Sequence, residues 1–549
     1  MKRVAVGILA LSVSSALFAA TPQFDGQRIS RDVKELASDA YEGRGPATAG
    51  EEKTIAYLSQ QFQAAGLQPG GDLKDGKRLW TQAVPLRKAD IVGAPSLALD
   101  LNGKRQPLTQ GKEIAVRAAL DGSSDVDVAN APLVFVGYGV NAPERKWDDF
   151  KGVDLKGKIA VVLINDPDFE SGRGDFDGKG MTYYGRWTYK YEEGARQGAL
   201  GVLVVHETAP ASYGWATVAS SNTNTMFDVV RDQPASVHPK IEGWIQRDLA
   251  EQLFKQSGLD FETLKQQAQS RSFKPVELKG EGLSARYAVN SEVITSHNVV
   301  ARLEGSKQPD QTLVYSAHWD HIGVGKPDAN GDTIFNGALD NASGTAALLE
   351  LARGFASGPR PQRSVVFLAV TAEEKGLLGS EYYASKPLYP LEKTVAVINM
   401  DGMSPAVPSR DFGIYGTAKL ELLDDLKAVA GKRGLRYTPD PKPEAGYFFR
   451  SDHFSFAKRG VPALSYSAGQ DWEVGGVAAG KAASDDYTAK RYHQQGDRWQ
   501  PDWTFAGASR DLSILYTLGM QLADSQQWPN WSADSEFRAT RDTSAAQRK

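Results

Sequence analysis

The sequence predicts an α/β fold: a mainly parallel sheet with helices on both faces, interrupted by an inserted β-rich domain. Three observations lead there. Apolar runs such as Leu313-Val314-Tyr315, Val365 to Val370 and Val395 to Ile398 alternate with helical stretches at Gly344–Phe355 and Gly379–Ser385, the texture of strands buried on both faces. A separate set of β-rich runs, Pro132–Gly139, Gly157–Ile164 and Gly201–Val205, stands apart from these in mid-chain. The chain has 549 residues, too long for one ordinary core, so two domains are expected.

Taken in order, Met1-Lys2-Arg3, an apolar stretch to Ala19 and Ala19-Ala20 before Thr21-Pro22 read as a secretory signal peptide over 1–20. Export to a periplasm or outside the cell is the expectation. The apolar stretch is too short to span a bilayer, and no second one follows, so no stable membrane insertion is expected. Residues 24–70 read as a helical pair. Thr48 with Glu51 has the spacing of a capping box, ahead of Ile55, Leu58 and Phe62 at helical intervals. Tyr41 to Pro46 forms a Gly-rich loop, and Asn102-Gly103 after an alternating run marks a hairpin. The last helix is expected over Phe505–Ala523, and residues 526–549 read as a polar, frayed tail.

Composition excludes several classes. The chain has 63 basic and 67 acidic residues and a net charge of −4, which gives no support for a nucleic-acid partner. It contains no cysteine, so disulfides, thiol nucleophiles and thiolate-held metals are absent. A metal site would have to use nitrogen and oxygen donors. Such donors gather near predicted strand ends: His318 and Asp320, Asp340, Glu373 and Glu374, Asp401, and much later His493. Singly, each has a plain reading. A Glu-Glu pair usually begins a solvated helix, a strand-end Asp is usually a cap, and a lone His is more often hydrogen-bonded than ligating.

Five segments change that balance. His318-Trp319-Asp320, Gly337-Ala338-Leu339-Asp340-Asn341, Glu373 to Ser380, Asn399-Met400-Asp401 and Tyr492-His493 resemble, in order and spacing, the M28 family of di-zinc peptidases. The mid-chain block resembles a protease-associated (PA) domain inserted into such an enzyme. The resemblance implies a zinc-exopeptidase core in two parts, 21–121 and 279–525, around a PA insert at 122–278. It implies two zinc ions, other divalent metals being able to occupy oxygen-rich sites. Asp340 would bridge them, with His318 and Asp401 completing one site and Glu374 and His493 the other. Glu373 would be the general base acting on the water shared by the ions. Asp320 would hold the His318 imidazole in one tautomer.

Tyr492 resembles an oxyanion-stabilising Tyr, although a structural Tyr fits as well. Arg450 resembles a substrate-side residue, with pairing to a nearby Asp as the alternative. His321 and His453 read as supporting groups, and His206, His238 and His297 receive no role. The implied activity is hydrolysis of peptide bonds at the N-termini of peptides or proteins. A glutamate carboxypeptidase-like enzyme, a glutaminyl cyclase-like enzyme and a non-catalytic, receptor-like binding protein are the alternatives within the same resemblance.

Overall fold

The computed structural model describes residues 22–548, so the expected signal peptide lies outside the described residues. The described chain opens on α1 (Gly26–Leu36) and α2 (Ala49–Ala64). Asp25 caps α1 by accepting from the Gln27 and Arg28 N–H groups. The capping box expected at α2 does not form. Thr48 Oγ1 donates to Gly45 O, while the Glu51 carboxylate turns inward to Ser296 Oγ at 2.6 Å and His297 Nδ1 at 2.8 Å. The same carboxylate also accepts from the Ala47 N–H, one residue before Thr48, so it is fully used without the reciprocal Thr48–Glu51 pair.

β1 (Thr81–Leu101) follows and turns back through Asn102-Gly103, both with positive φ, as the Asn-Gly pair predicts. Then come β2 (Asp125–Phe135), β3 (Ile159–Leu163), α3 (Trp187–Arg196), β4 (Gly201–His206) and β5 (Ile241–Gln246). β2 to β5 lie side by side and parallel. The long β6 (Val276–Leu303) pairs antiparallel with β1 through most of its length and also with β2. β1 and β6 thus run through both halves of the molecule.

The second half contains β7 (Gln308–His318), α4 (Gly344–Ser357), β8 (Arg363–Val370), α5 (Leu378–Ser385), β9 (Thr394–Met400), β10 (Ala463–Ala468), α6 (Gly476–Lys490) and α7 (Ala506–Ala523). β10, β9, β7 and β8 are mutually parallel, in that order, and β6 closes the row antiparallel beside β8. Every residue of β8 and β9 is buried, so both faces of this sheet are covered.

Two main apolar cores result. One gathers residues from the N-terminal helices and from Val299 onward. The other draws on residues from Ala89 to Val289. Parts of β1 and β6 outside 122–278 therefore serve the second core, because each strand is continuous through both. The tail is not frayed as expected. Trp531, Phe537 and Arg541 are buried, Trp531 Nε1 donates to Gly460 O at 2.9 Å, and Arg541 Nη2 donates to Thr394 O at 3.0 Å. Trp531 and Phe537 pack against Phe448, and that burial outweighs the tail's polar composition.

Candidate active site

The carboxyl ends of β7, β8 and β9 lie together, since the strands are parallel and in register: Ser316 faces Leu368 on one side and Asn399 on the other. His318 ends β7, Glu373 and Glu374 follow β8, and Asp401 follows β9. This is the edge where parallel sheets place their ligands. Asp340 comes from the turn before α4, and His493 from the segment after α6.

The side chains converge as expected. His318 Nε2 is 3.3 Å from Asp340 Oδ1 and 3.2 Å from Asp401 Oδ1. His493 Nε2 is 3.2 Å from both Asp340 Oδ2 and Glu374 Oε2. Asp340 thus offers one oxygen to each group of donors. His321, read from the sequence as a supporting residue, comes closer than that: its Nδ1 is 2.6 Å from Glu374 Oε1, and it gathers with Asp340 and Glu374 as a set able to hold an ion. Ser451 Oγ donates to Asp401 Oδ2 at 2.7 Å.

Asp320 differs from expectation. Its carboxylate stands 3.8 Å from His318 Nδ1, and its backbone carbonyl takes that nitrogen at 3.1 Å. The carboxylate instead accepts from the Glu373 and Glu374 N–H groups, at 3.0 and 3.4 Å. The His318 tautomer is set by backbone, and the Asp320 side chain fixes the turn that carries both glutamates. Two amide donors aimed at one buried carboxylate outweigh a single imidazole across a longer gap.

Tyr492 stacks on the His493 ring at 3.9 Å between centroids and is 47% exposed, so it stands at the rim of the site. Arg450 forms no ion pair with an Asp among the described residues; it donates to Ala445 O at 2.7 Å. His453 is fully buried with both ring nitrogens unpartnered, and burial lowers its pKa to about 3. It packs edge-on against Phe448, which fits the supporting role.

Three residues of the site carried no usable signal in the sequence. Arg44, 1% exposed, donates to the carbonyls of Leu36, Trp319, Asn336 and Gly337 at 2.7–2.8 Å. It thereby ties the loop after His318 to the loop before Asp340. Asp497 accepts from the Leu339 and Asp340 N–H groups at 3.0 Å each, linking the His493 segment to the same turn. Tyr415 is half-buried near Asp401, Asp340 and His318, and loss of solvent together with those carboxylates raises its pKa above the usual range. The Gly-rich loop at 41–46 was the one hint toward Arg44. Gly337 is itself required: its φ is +57°, and a Cβ there would meet Asp340 O at 2.2 Å and the His321 ring at 2.5 Å.

The donor set fits two divalent cations. Four carboxylates and three imidazoles crowd one pocket, an arrangement that like-charge repulsion opposes unless cations fill it. Buried polar atoms are left over as well. His321 Nδ1 and Nε2 and Glu374 Oε1 have no hydrogen-bond partner: the 2.6 Å contact between Nδ1 and Oε1 has no hydrogen-bonding geometry, as expected of two donors aimed at a common ion. Electrostatics agree. Burial works to lower the His493 pKa, yet Asp340 and Glu374 outweigh it and raise the group to about 10. A cation would compete for those same lone pairs. Burial holds the Glu373 carboxyl well above its ordinary range, opposed by His318 and aided by Asp401 and Glu374.

Part of the chain is similar in sequence to known proteins. Residues 298–517 match the model "Peptidase family M28". A "Probable zinc metalloprotease" of Pyricularia oryzae is 40% identical over 113 residues, 21% of this chain and 22% of that protein. "Aminopeptidase NAALADL1" of Mus musculus is 38% identical over 116 residues, 20% of this chain and 14% of that protein. These matches span about a fifth or less of the relatives' length. An aminopeptidase from Aneurinibacillus sp. strain AM-1 superposes with a TM-score of 0.49 at 20% identity, covering 94% of this chain and 98% of that one. BSAP, a zinc aminopeptidase from Bacillus subtilis, gives 0.41 at 17% identity over 92% and 98%. On the match over 298–517, this part of the chain is a domain of peptidase family M28.

Proposed function

We propose that this protein is an exported di-zinc exopeptidase that removes residues from peptide N-termini. The observation that carries the reading is the double contact of Asp340, one oxygen toward His318 and the other toward His493. His318 and Asp401 would hold one ion; Glu374 and His493, with His321 alongside, would hold the other. When bound, the ions polarise the scissile carbonyl and acidify water. The curated relatives are named zinc metalloprotease and aminopeptidase, which favours zinc and the N-terminal direction.

The chain's own residues supply the rest. Glu373, held by the Asp320-anchored turn, takes a proton from the attacking water and returns it to the departing amine. Asp320, Arg44 and Asp497 keep the donors in register, so little reorganisation is needed at reaction. Tyr492, at the rim, donates to the carbonyl oxygen as it gains charge. We also read the second core as a PA domain bordering the cleft, and residues 1–20 as the export signal.

The test is a pair of measurements on one preparation: metal content, and cleavage of peptides with free or acetylated N-termini. About two equivalents of zinc and cleavage of the free series alone are expected. Cleavage that survives acetylation but requires a free C-terminus would make the protein a carboxypeptidase. Full metal occupancy without hydrolysis of either series would favour the receptor-like alternative.

A further inference from the structure

Tyr415, Tyr487 and Tyr492 all stand close enough to Asp340 to feel its charge, but they differ in what they hold. Tyr487 Oη donates to Asp497 Oδ2 at 3.3 Å. Tyr492 stacks on the His493 ring and is half exposed. Tyr415 is half-buried, and among the described residues its hydroxyl has no hydrogen-bond partner. A donor beside the reaction centre is left unspent by the fold.

The backbone fixes where that hydroxyl goes. Tyr415 follows a short strand, Asp411–Ile414, which runs antiparallel to β10 with Ile414 opposite Tyr466. Its N–H donates to Ser465 O at 3.0 Å. The next residue, Gly416, has φ +72°, and a Cβ there would meet Phe448 N at 2.1 Å, so only glycine suits the turn. With the chain pinned on both sides, the ring reaches the turn after β9. A Cβ built on Gly402 would lie 3.5 Å from Tyr415 Oη, and Gly402 directly follows Asp401. The Gly402 N–H in turn donates to Asn341 Oδ1 at 2.9 Å, and Asn341 directly follows Asp340. The hydroxyl therefore sits beside the junction of two of the donor segments.

Tyr415 and Tyr492 address different sides of Asp340. The charges that act on Tyr415 besides Asp340 are those of Asp401 and His318. Those that act on Tyr492 come first from Asp340, Glu374 and Glu373. Loss of solvent and the nearby carboxylates keep the proton on Tyr415, so the phenol stays a donor.

We propose that Tyr415 is a further catalytic residue, donating a hydrogen bond to the substrate carbonyl oxygen as that oxygen gains negative charge. The proposal rests on the peptidase reading above. As water adds to the carbonyl carbon, the C–O π pair moves onto oxygen and the water proton goes to Glu373. The Tyr415 O–H shortens its hydrogen bond to that oxygen and keeps its proton. When the C–N bond breaks, the pair returns to form the product carbonyl, and the amine leaves with the proton from Glu373. Tyr492 serves the same oxygen from the exposed rim. Tyr415 carries the larger share, because a donor shielded from water is worth more at developing charge.

The test removes one oxygen atom. Tyr415→Phe keeps the ring and its packing, and is compared with wild type, both zinc-loaded. Cleavage of Leu-Gly-Gly is measured, together with calorimetric binding of leucine and of its phosphonic acid analogue, whose tetrahedral anion imitates the charged oxygen. kcat should fall about 10²- to 10³-fold while KM changes by less than about twofold. The phosphonate should bind at least about tenfold more weakly and leucine about equally. Zinc content should stay at the wild-type level. A merely structural role would lower leucine binding and zinc content along with kcat, and that result overturns the proposal. So does a kcat within about threefold of wild type, or a phosphonate affinity that does not fall. These outcomes need an active wild type, and they leave the peptidase reading standing. A wild type that cleaves no peptide overturns that reading, and the role of Tyr415 with it.

Discussion

Two clusters of buried charge, one at the carboxyl edge of the parallel strands in each half of this molecule, are treated in opposite ways. In the second core, Lys190 Nζ donates to the carbonyls of Tyr138, Asn165 and Tyr184 at 2.6–2.9 Å. Asp166 accepts from the Thr182 N–H and Oγ1 at 2.9 Å, and Asp149 from the Val140 N–H at 3.0 Å and Trp147 Nε1 at 2.8 Å. These groups are answered within the fold. In the peptidase half, His321 and Glu374 keep buried atoms that no hydrogen bond within the fold uses. Burial of charge therefore does not distinguish the working site from the structural one. What distinguishes them is whether donors and acceptors are used up by the fold.

That contrast can be broken most directly at Glu373. Glu373→Gln should lower kcat by about 10²- to 10⁴-fold while metal content stays at the wild-type level, as read by elemental analysis of the same sample. Normal turnover in this variant would remove Glu373 from the mechanism. Asp340→Ala should lose both ions, since it touches both donor groups, and retention of two equivalents would end the bridging assignment.

In the other half the same operation should affect stability and leave metal binding alone. Lys190→Met leaves three buried carbonyls without their donor and should cost about 3 kcal/mol, seen as a lower melting temperature with zinc stoichiometry unchanged. A change in metal content there would mean that the halves are not separable in this way.

A pH titration sharpens the comparison further. His238 lies between Glu242 at 2.7 Å and Asp228 at 3.0 Å. Burial tends to lower its pKa, but the two carboxylates outweigh it and raise it from 6.5 to about 9. A group raised in the folded state stabilises fully below its unfolded value, and that contribution is lost as pH climbs through the folded value. Stability should therefore fall between pH 6.5 and about 9, by no more than about 3 kcal/mol. Melting curves of wild type and His238→Gln across that window check it: the slope should be present in the first and missing in the second. Tyr492→Phe should have the smallest effect, less than about tenfold in kcat, because the ring is half exposed.

Legibility divides along the same physical line. The Asn102-Gly103 turn, the buried strands β7 to β9 and the helices α4 and α7 were readable because apolar period and turn chemistry act over a few residues. His318, Asp340, Glu374, Asp401 and His493 stood out because five short segments resemble, in order and spacing, those of the M28 family. The second partner of each interaction did not. Thr48 and Glu51 had capping-box spacing, but the carboxylate takes Ser296, His297 and the Ala47 N–H in place of Thr48.

The sequence by itself determined which atoms were available: nitrogen and oxygen donors, no thiol, and strands apolar enough to bury on both faces. Only the tertiary structure decided where those donors were spent. It sent the Asp320 carboxylate to the Glu373 turn, set Arg44 across two loops and docked the tail through Trp531. Each of these depends on a partner far off along the chain. Local pattern carries no record of such a partner, because burial and hydrogen bonding are satisfied in space without regard to sequence distance.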